Sequence, residues 1–344
     1  MDFEQFKTNI KKGEFTGNSF AWVCTYTPEE IIHAAGFFPV GIRKSSGCED
    51  EDVYLGRNMC SFAHSIFGGA LRGSYGGMKG IVIAHGCECL RRLYDGWNEW
   101  NSLMEPSYAY QLNVPVMCNN LAIKYFESNL RSFIRELEAN YSVSITDEKL
   151  LKSIKLYNQT RLLLNRLAAL RERANPPVTG QQVWEIIDIC MSTPKEVFNE
   201  VFEEFLLVLE ADDKGLFESK RKRILVYGGL YNPEIVKYIE REDTGGMVVC
   251  EDTCNGLRYF DIPENELSTS DPVEMISRRY LSKMPCSRIS GHYEERIVSD
   301  LLALVKRYRV DGVVYYITKR CENQYWEFPS IKDALEMDGV PLKR

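Results

Sequence analysis

The stretch Lys79-Gly-Ile-Val-Ile-Ala-His-Gly-Cys-Glu-Cys-Leu-Arg-Arg-Leu-Tyr94 decides how the chain reads. Gly80 to Ala84 is a short apolar run, the pattern of a strand buried on both faces. It stops at His85-Gly86, and Cys87 and Cys89 follow. An amphipathic helix comes next, with Leu90, Leu93 and Trp97 on one face and Arg91, Arg92 and Asp95 on the other. A thiol at the carboxyl end of a parallel strand, beside a helix start, sits where open α/β sheets bind ligands. The helix dipole there is expected to favour thiolate over thiol.

The same strand-then-helix unit recurs on both sides. Ser19 to Thr25 reads as a strand carrying Cys24 at its end. Thr27-Pro28-Glu29-Glu30 then reads as a helix start, with Thr27 as N-cap, Pro28 at the first position and Glu30 three residues beyond the cap. Phe37 to Ile42 is a second strand, and a polar loop from Ser45 to Asp52 holds Cys48. Cys60 opens a helix over Ser61 to Arg72, and Leu112 to Met117 is a strand ending at Cys118. Such alternation predicts a doubly wound parallel sheet.

From Leu121 to about Asp213 the period changes to that of long helices, through Ile123, Phe126, Leu130, Phe133 and Leu137, then Leu150, Ile154, Tyr157, Leu164 and Leu167. Two further helices are expected near Gly180 to Met191 and Pro194 to Leu209. Strand–helix alternation resumes at Lys222, with strands at Arg223 onward, Gly246 to Cys250, Val310 to Ile317 and from Gly339. Helices are expected over Pro233 to Glu240, Pro272 to Ser282, His292 to Tyr308 and Ser330 to Met337. The fold class is therefore α/β: two Rossmann-like (flavodoxin-like) parallel-sheet domains, residues 1–120 and 220–344, with a helical block over 121–219 between them.

Composition narrows the function. The 344 residues carry 49 acidic and 42 basic side chains for a net charge of −7, which argues against nucleic acid as a partner. No segment has the apolar core of a targeting peptide, and no run approaches the roughly 20 residues that span a bilayer. The expected location is the cytoplasm, with no membrane partner. Eleven cysteines, an odd number, do not suit a complete disulfide framework there. Cys24, Cys87, Cys118, Cys250 and Cys321 fall at or just past predicted strand ends, Cys60 at a helix start, and Cys190 on a helix face. If the two α/β halves face each other, these strand ends converge on one crevice. Soft thiolates gathered there suit a redox metal cluster, which takes three or four per cubane. Two other readings stay open on spacing alone. The cysteines serve as small buried hydrophobes, or His85, Cys87 and Cys89 take part in a zinc site.

Longer motifs carry a resemblance. Cys24-Thr-Tyr-Thr-Pro-Glu-Glu-Ile-Ile-His-Ala-Ala-Gly-Phe-Phe-Pro-Val40, Asn58-Met-Cys60-Ser61 and Cys87-Glu-Cys-Leu-Arg-Arg-Leu-Tyr-Asp-Gly-Trp97 resemble the 2-hydroxyacyl-CoA dehydratase / benzoyl-CoA reductase family, D-component type. So do Glu251-Asp-Thr-Cys254-Asn-Gly-Leu-Arg-Tyr-Phe260, the segment from Asp271 to Cys286, and Val310 through Cys321 to Pro329. The resemblance implies a subunit holding a 4Fe-4S cluster through Cys60, Cys87 and Cys321. It also implies an acyl-CoA substrate and a homologous second subunit, as a heterodimer or a homodimer. A separate ATP-dependent iron–sulfur activator would inject one low-potential electron. The electron passes to the CoA thioester, whose ketyl radical anion expels the 2-hydroxyl group; in the benzoyl-CoA branch an aromatic ring is reduced instead. Another branch binds a double-cubane 8Fe-9S cluster and reduces small molecules, for which Cys24, Cys254 and Cys286 are the candidate second set. A further alternative is a non-catalytic electron-relay subunit. Cys89 is extra to the family pattern and is expected to point away from the Cys87 site. No phosphate-binding loop of the Gly-x-x-x-x-Gly-Lys-Ser/Thr type is present, so ATP hydrolysis by this chain is not expected.

Overall fold

The computed structural model describes residues 1–11, 17–43, 51–216, 221–230, 232–262, 269–288 and 293–344; Cys48 lies outside them. The described strands are β1 (Ser19–Val23), β2 (Phe38–Gly41), β3 (Ile81–His85), β4 (Ala109–Asn113), β5 (Lys222–Gly228), β6 (Gly246–Asp252), β7 (Gly312–Tyr316) and β8 (Leu342–Lys343). They form two four-stranded sheets of order β2-β1-β3-β4 and β6-β5-β7-β8. Every pairing is parallel. The expected two-sheet α/β fold is borne out.

The strand order sets the site. In the first sheet the chain leaves β1 towards β2 on one side and returns as β3 on the other. In the second it leaves β5 towards β6 and returns as β7. The crevices outside the carboxyl ends of β1/β3 and of β5/β7 are thus topological switch points, where the connecting segments diverge and leave a cleft. Cys24 follows β1 directly, at φ 79°, and Gly86-Cys87 follow β3. Gly228-Gly229 close β5, and Thr318 to Cys321 follow β7.

Between the sheets run four long helices, Asn120–Tyr141, Asp147–Leu170, Gly180–Met191 and Lys195–Ala211. Three start on side-chain caps that satisfy otherwise orphaned N–H groups. Asn119 accepts from Ala122 N, Thr146 from Lys149 N, and Thr179 makes a reciprocal capping box with Gln182. One continuous core joins Phe20, Trp22, Phe126, Phe133, Leu164, Ile186 and Phe202 with Ile276 and Tyr280. The last two belong to helix Pro272–Ser282, which follows β6 in the chain but packs with the first sheet and the helical block. Ser277 Oγ donates to the Ile123 carbonyl across this contact at 2.8 Å.

Several sequence expectations shift. Pro28, in extended backbone, is the N-cap of helix Glu29–Ala34, and Thr27 Oγ1 instead donates to the Val23 carbonyl at 3.2 Å. Glu30 does no capping. It is buried in an ion pair with Arg161 and accepts from Tyr280 Oη at 2.8 Å. The strand expected at Leu112 to Met117 is Ala109–Asn113, whose residues pair in register with Ile81 to His85. Cys118 consequently lies in a loop. Cys250 does not end its strand either; β6 continues to Asp252, and the thiol is buried in the second sheet's core. The last helix, expected from Ser330, starts at Glu322 and carries Pro329 inside it.

Burial alone would raise the Glu30 carboxyl, but Arg161 and Arg279 overcome that and hold it below the ordinary carboxylate range. A depressed folded pKa adds stability above the unfolded value of about 4.3, and that stability is lost as pH falls through the folded pKa. Denaturant titrations from pH 5 down to pH 3 are expected to show a flatter acid limb in Glu30→Gln than in the wild type. An equally steep limb in both would refute this role for Glu30.

Candidate functional site

The two switch points open on one cavity of about 860 Å³, counting space open to solvent. The first sheet contributes Cys24 and Cys87, and the second contributes Gly229 and Cys321. Cys60, Cys254 and Cys286 join them. Six cysteines, drawn from both halves of the sequence, therefore line a single space. All six candidate ligands singled out from the sequence are brought together; Cys118, Cys190 and Cys250 do not line it.

Three of the six share a local geometry. Cys60 is the N-cap of helix Ser61–Leu71, Cys87 of helix Glu88–Glu99, and Cys321 of helix Glu322–Met337. No side-chain cap hydrogen bond forms at these three helix starts, and all three cysteines line the cavity. Helix N-termini favour anions, and three of them meeting suit a negatively charged occupant. Cys24, Cys254 and Cys286 sit on loops instead. Gly86 keeps the wall thin beside Cys24, since a Cβ there would lie 3.2 Å from the Cys24 sulfur.

Without a metal, the helix dipoles do not win. Burial pushes the Cys87 thiol up to about 12, the Cys254 thiol to about 12 and the Cys321 thiol to about 11, and it raises the Cys24 thiol as well. This overturns the expectation of a free thiolate at Cys87. A soft metal would have to displace these protons on binding. Cys89 departs from expectation too. It is absent from the cavity wall but does not point away. Its sulfur accepts the Cys60 backbone N–H at 3.4 Å. The hydrogen bond from the Cys60 thiol pulls the Cys89 pKa down to about 6 and raises that of Cys60.

Arginines supply the charge balance that sequence reasoning missed. Arg43, Arg258 and Arg288 line the cavity. Arg258 is held by Asp252 at 2.5 Å and by the Gly228 carbonyl at 2.9 Å, and Arg288 by the Gly86 and Pro115 carbonyls at 3.0 and 2.8 Å. Arg43 Nε, Arg258 Nη2 and Arg288 Nε remain buried without a hydrogen-bond partner among the described residues. Unmet buried donors are costly, and donors beside six thiols fit an anionic sulfur-rich occupant. Arg258 lies inside one of the family-like motifs and Arg288 two residues past Cys286, so chain position was the available signal. Arg91 and Arg92, by contrast, pair with Glu88 and Asp95 on an outer helix face.

Among the described residues, no group of three or more His, Cys, Asp or Glu is arranged to hold a single metal ion. A mononuclear zinc site of the His85–Cys87–Cys89 kind is therefore not formed; His85 Nδ1 lies 3.2 Å from Asn113 Oδ1 instead. A cubane asks for a different spacing, because its thiolates sit on separate irons, about 6–7 Å apart. The donor set and the unmet arginine N–H groups fit such a group.

Fold and site together define a two-sheet α/β protein with a thiol-lined crevice between its switch points. The chain belongs to the family described as 2-hydroxyglutaryl-CoA dehydratase, D-component, whose model matches residues 24–343. This makes it a component of the family's dehydratase or related reductase enzymes. It is 25% identical over 349 residues to the (R)-phenyllactyl-CoA dehydratase beta subunit of Clostridium sporogenes, covering 99% of this chain and 90% of that protein. It is also 25% identical to a benzoyl-CoA reductase subunit of Thauera aromatica, covering 96% and 86% of the two chains. To the beta subunit of the (R)-2-hydroxyglutaryl-CoA dehydratase of Acidaminococcus fermentans it is 23% identical, covering 92% and 83%. No described helix is long and apolar enough to cross a membrane.

Proposed function

We propose that this chain is the iron–sulfur subunit of a low-potential reductase-type enzyme, holding a double-cubane cluster through Cys60, Cys87, Cys321, Cys24, Cys254 and Cys286. The observation that carries this reading is the convergence of all six thiols on one cavity. Bound there, such a cluster supplies electrons singly at low potential. The chain's own residues do the rest. Three helix N-termini and the unmet N–H groups of Arg43, Arg258 and Arg288 offset the negative charge of thiolates and sulfide. Trp22, Phe62, Leu90 and Met191 form an apolar wall that limits water around the sulfurs. Thr318, Asn323 and Gln324 leave a polar side at which a small substrate is oriented. Electrons come from an ATP-hydrolysing iron–sulfur activator, in the cytoplasm, and the working unit is a dimer with a homologous subunit or a second copy.

A second reading has its own observation. Cys60, Cys87 and Cys321 alone share the N-cap geometry, as a four-iron cluster would need, with the other thiols left unligated. The chain would then serve an ATP-activated radical (R)-2-hydroxyacyl-CoA dehydratase, passing the electron to a CoA thioester as the dehydratase relatives' names suggest.

Both readings require redox chemistry at very low potential. Anaerobic protein titrated with a titanium(III) donor is expected to lose its visible charge-transfer absorption and to recover it on reoxidation. A colourless protein, or one indifferent to the donor, would contradict the proposal.

A further inference from the structure

Cys89 belongs to neither ligand set, yet its sulfur is turned onto Cys60 and accepts the Cys60 backbone N–H at 3.4 Å. Both residues sit at helix starts, Cys60 as the cap of one helix and Cys89 in the first turn of another. Among the described residues, none of the other five cavity cysteines hydrogen-bonds to a second cysteine. Cys89 is partly exposed while Cys60 is buried, so an oxidant reaches Cys89 first.

We propose that Cys60 and Cys89 are an oxidative modification site: a reversible disulfide that forms when the cluster-free chain meets hydrogen peroxide, and that shelters a cluster ligand from irreversible oxidation. The Cys89 sulfur attacks one peroxide oxygen, the O–O bond breaks, and one water leaves as a sulfenic acid forms. The Cys60 sulfur then attacks the Cys89 sulfur, the S–O bond breaks, and the second water departs with the Cys60 proton. Two thiols have lost two electrons, and one peroxide has become two waters. The disulfide brings the two sulfurs to about 2.0 Å. The sheltering role rests on Cys60 being a ligand, as proposed above; the pairing rests on the contact itself.

The test uses the full chain stripped of iron by a chelator under anaerobic conditions and given one equivalent of hydrogen peroxide. Free thiols are then alkylated and the peptides mapped without reduction. The expected product is a Cys60–Cys89 cross-linked peptide pair, reversed by dithiothreitol, with iron uptake restored to the untreated level. Cys89→Ser is expected to take up iron like the wild type before oxidation; given excess peroxide, two equivalents being consumed for each sulfinic acid formed, it should lose most of that uptake even after reductant, with Cys60 recovered as sulfinic acid, while the wild type under the same excess recovers. A dominant cross-link between any other pair, or full recovery by Cys89→Ser, would overturn the proposal. A chain that binds no iron in any state would sink the proposed function, and the peptide map would still decide the disulfide.

Discussion

Replacing Cys87 with alanine is expected to empty the iron site while leaving the fold intact. Cys87 follows β3 at a switch point, caps helix Glu88–Glu99, and faces the cavity with five other cysteines. Its own packing role is small. The residue is partly exposed, and burial only raises its thiol pKa in the metal-free chain. Alanine removes a sulfur that nothing nearby replaces, since Cys89 is turned onto Cys60. Anaerobically purified Cys87→Ala should retain iron near background, with an unchanged circular dichroism spectrum. Cys118→Ala and Cys190→Ala, outside the cavity, should keep the wild-type content. Wild-type iron in Cys87→Ala would refute the assignment.

The largest stability effect is expected at Arg171. This arginine ends helix Asp147–Leu170 and reaches the second sheet, where it pairs with both carboxylate oxygens of Glu251 and donates to the Val248 carbonyl at 2.6 Å. Both side chains are buried, at 4% and 3% exposure, so solvent screens little of the interaction. Arg171→Met leaves the Glu251 charge buried and unpaired, a change that costs about 3–5 kcal/mol. Denaturant unfolding should show the midpoint falling accordingly. The double replacement of Arg171 and Glu251 by methionine should recover much of the loss, because it removes the stranded charge. A single variant within about 0.5 kcal/mol of the wild type, the range of ordinary surface changes, would refute the pairing's role.

Much of the fold was legible because hydrophobic period is local. The strand read over Gly80 to Ala84 forms as Ile81–His85, one residue along, and the stripe Leu90, Leu93, Trp97 is buried as read. The strand ends mattered more than the strands. Cys24, Cys87 and Cys321 sit at switch points because strand order, a long-range property, places them there. Strand–helix alternation implied parallel pairing but not that order, and the meeting of the two crevices rested on an assumption that the halves face each other.

What stayed hidden was set by burial and by neighbours distant in sequence. Glu30 looked like a capping residue because the local pattern fits, but Arg161, 131 positions away, claims it. The thiol of Cys87 looked ready to ionise beside a helix dipole, and desolvation proved the larger effect. Arg258 and Arg288 gave no periodic signal, since a guanidinium inside a cavity obeys no helix or strand face. The helix expected from Ser330 had already begun at Glu322, just past the thiol-bearing cap Cys321.

The central claim is that six thiols share one cluster. Iron and acid-labile sulfide counted per chain in anaerobically purified protein test it most directly. The account predicts about eight irons, falling sharply in Cys254→Ala as well as in Cys87→Ala. About four irons, unaffected by Cys254→Ala, would contradict it and return the three-thiol reading, and a chain with no iron would contradict both.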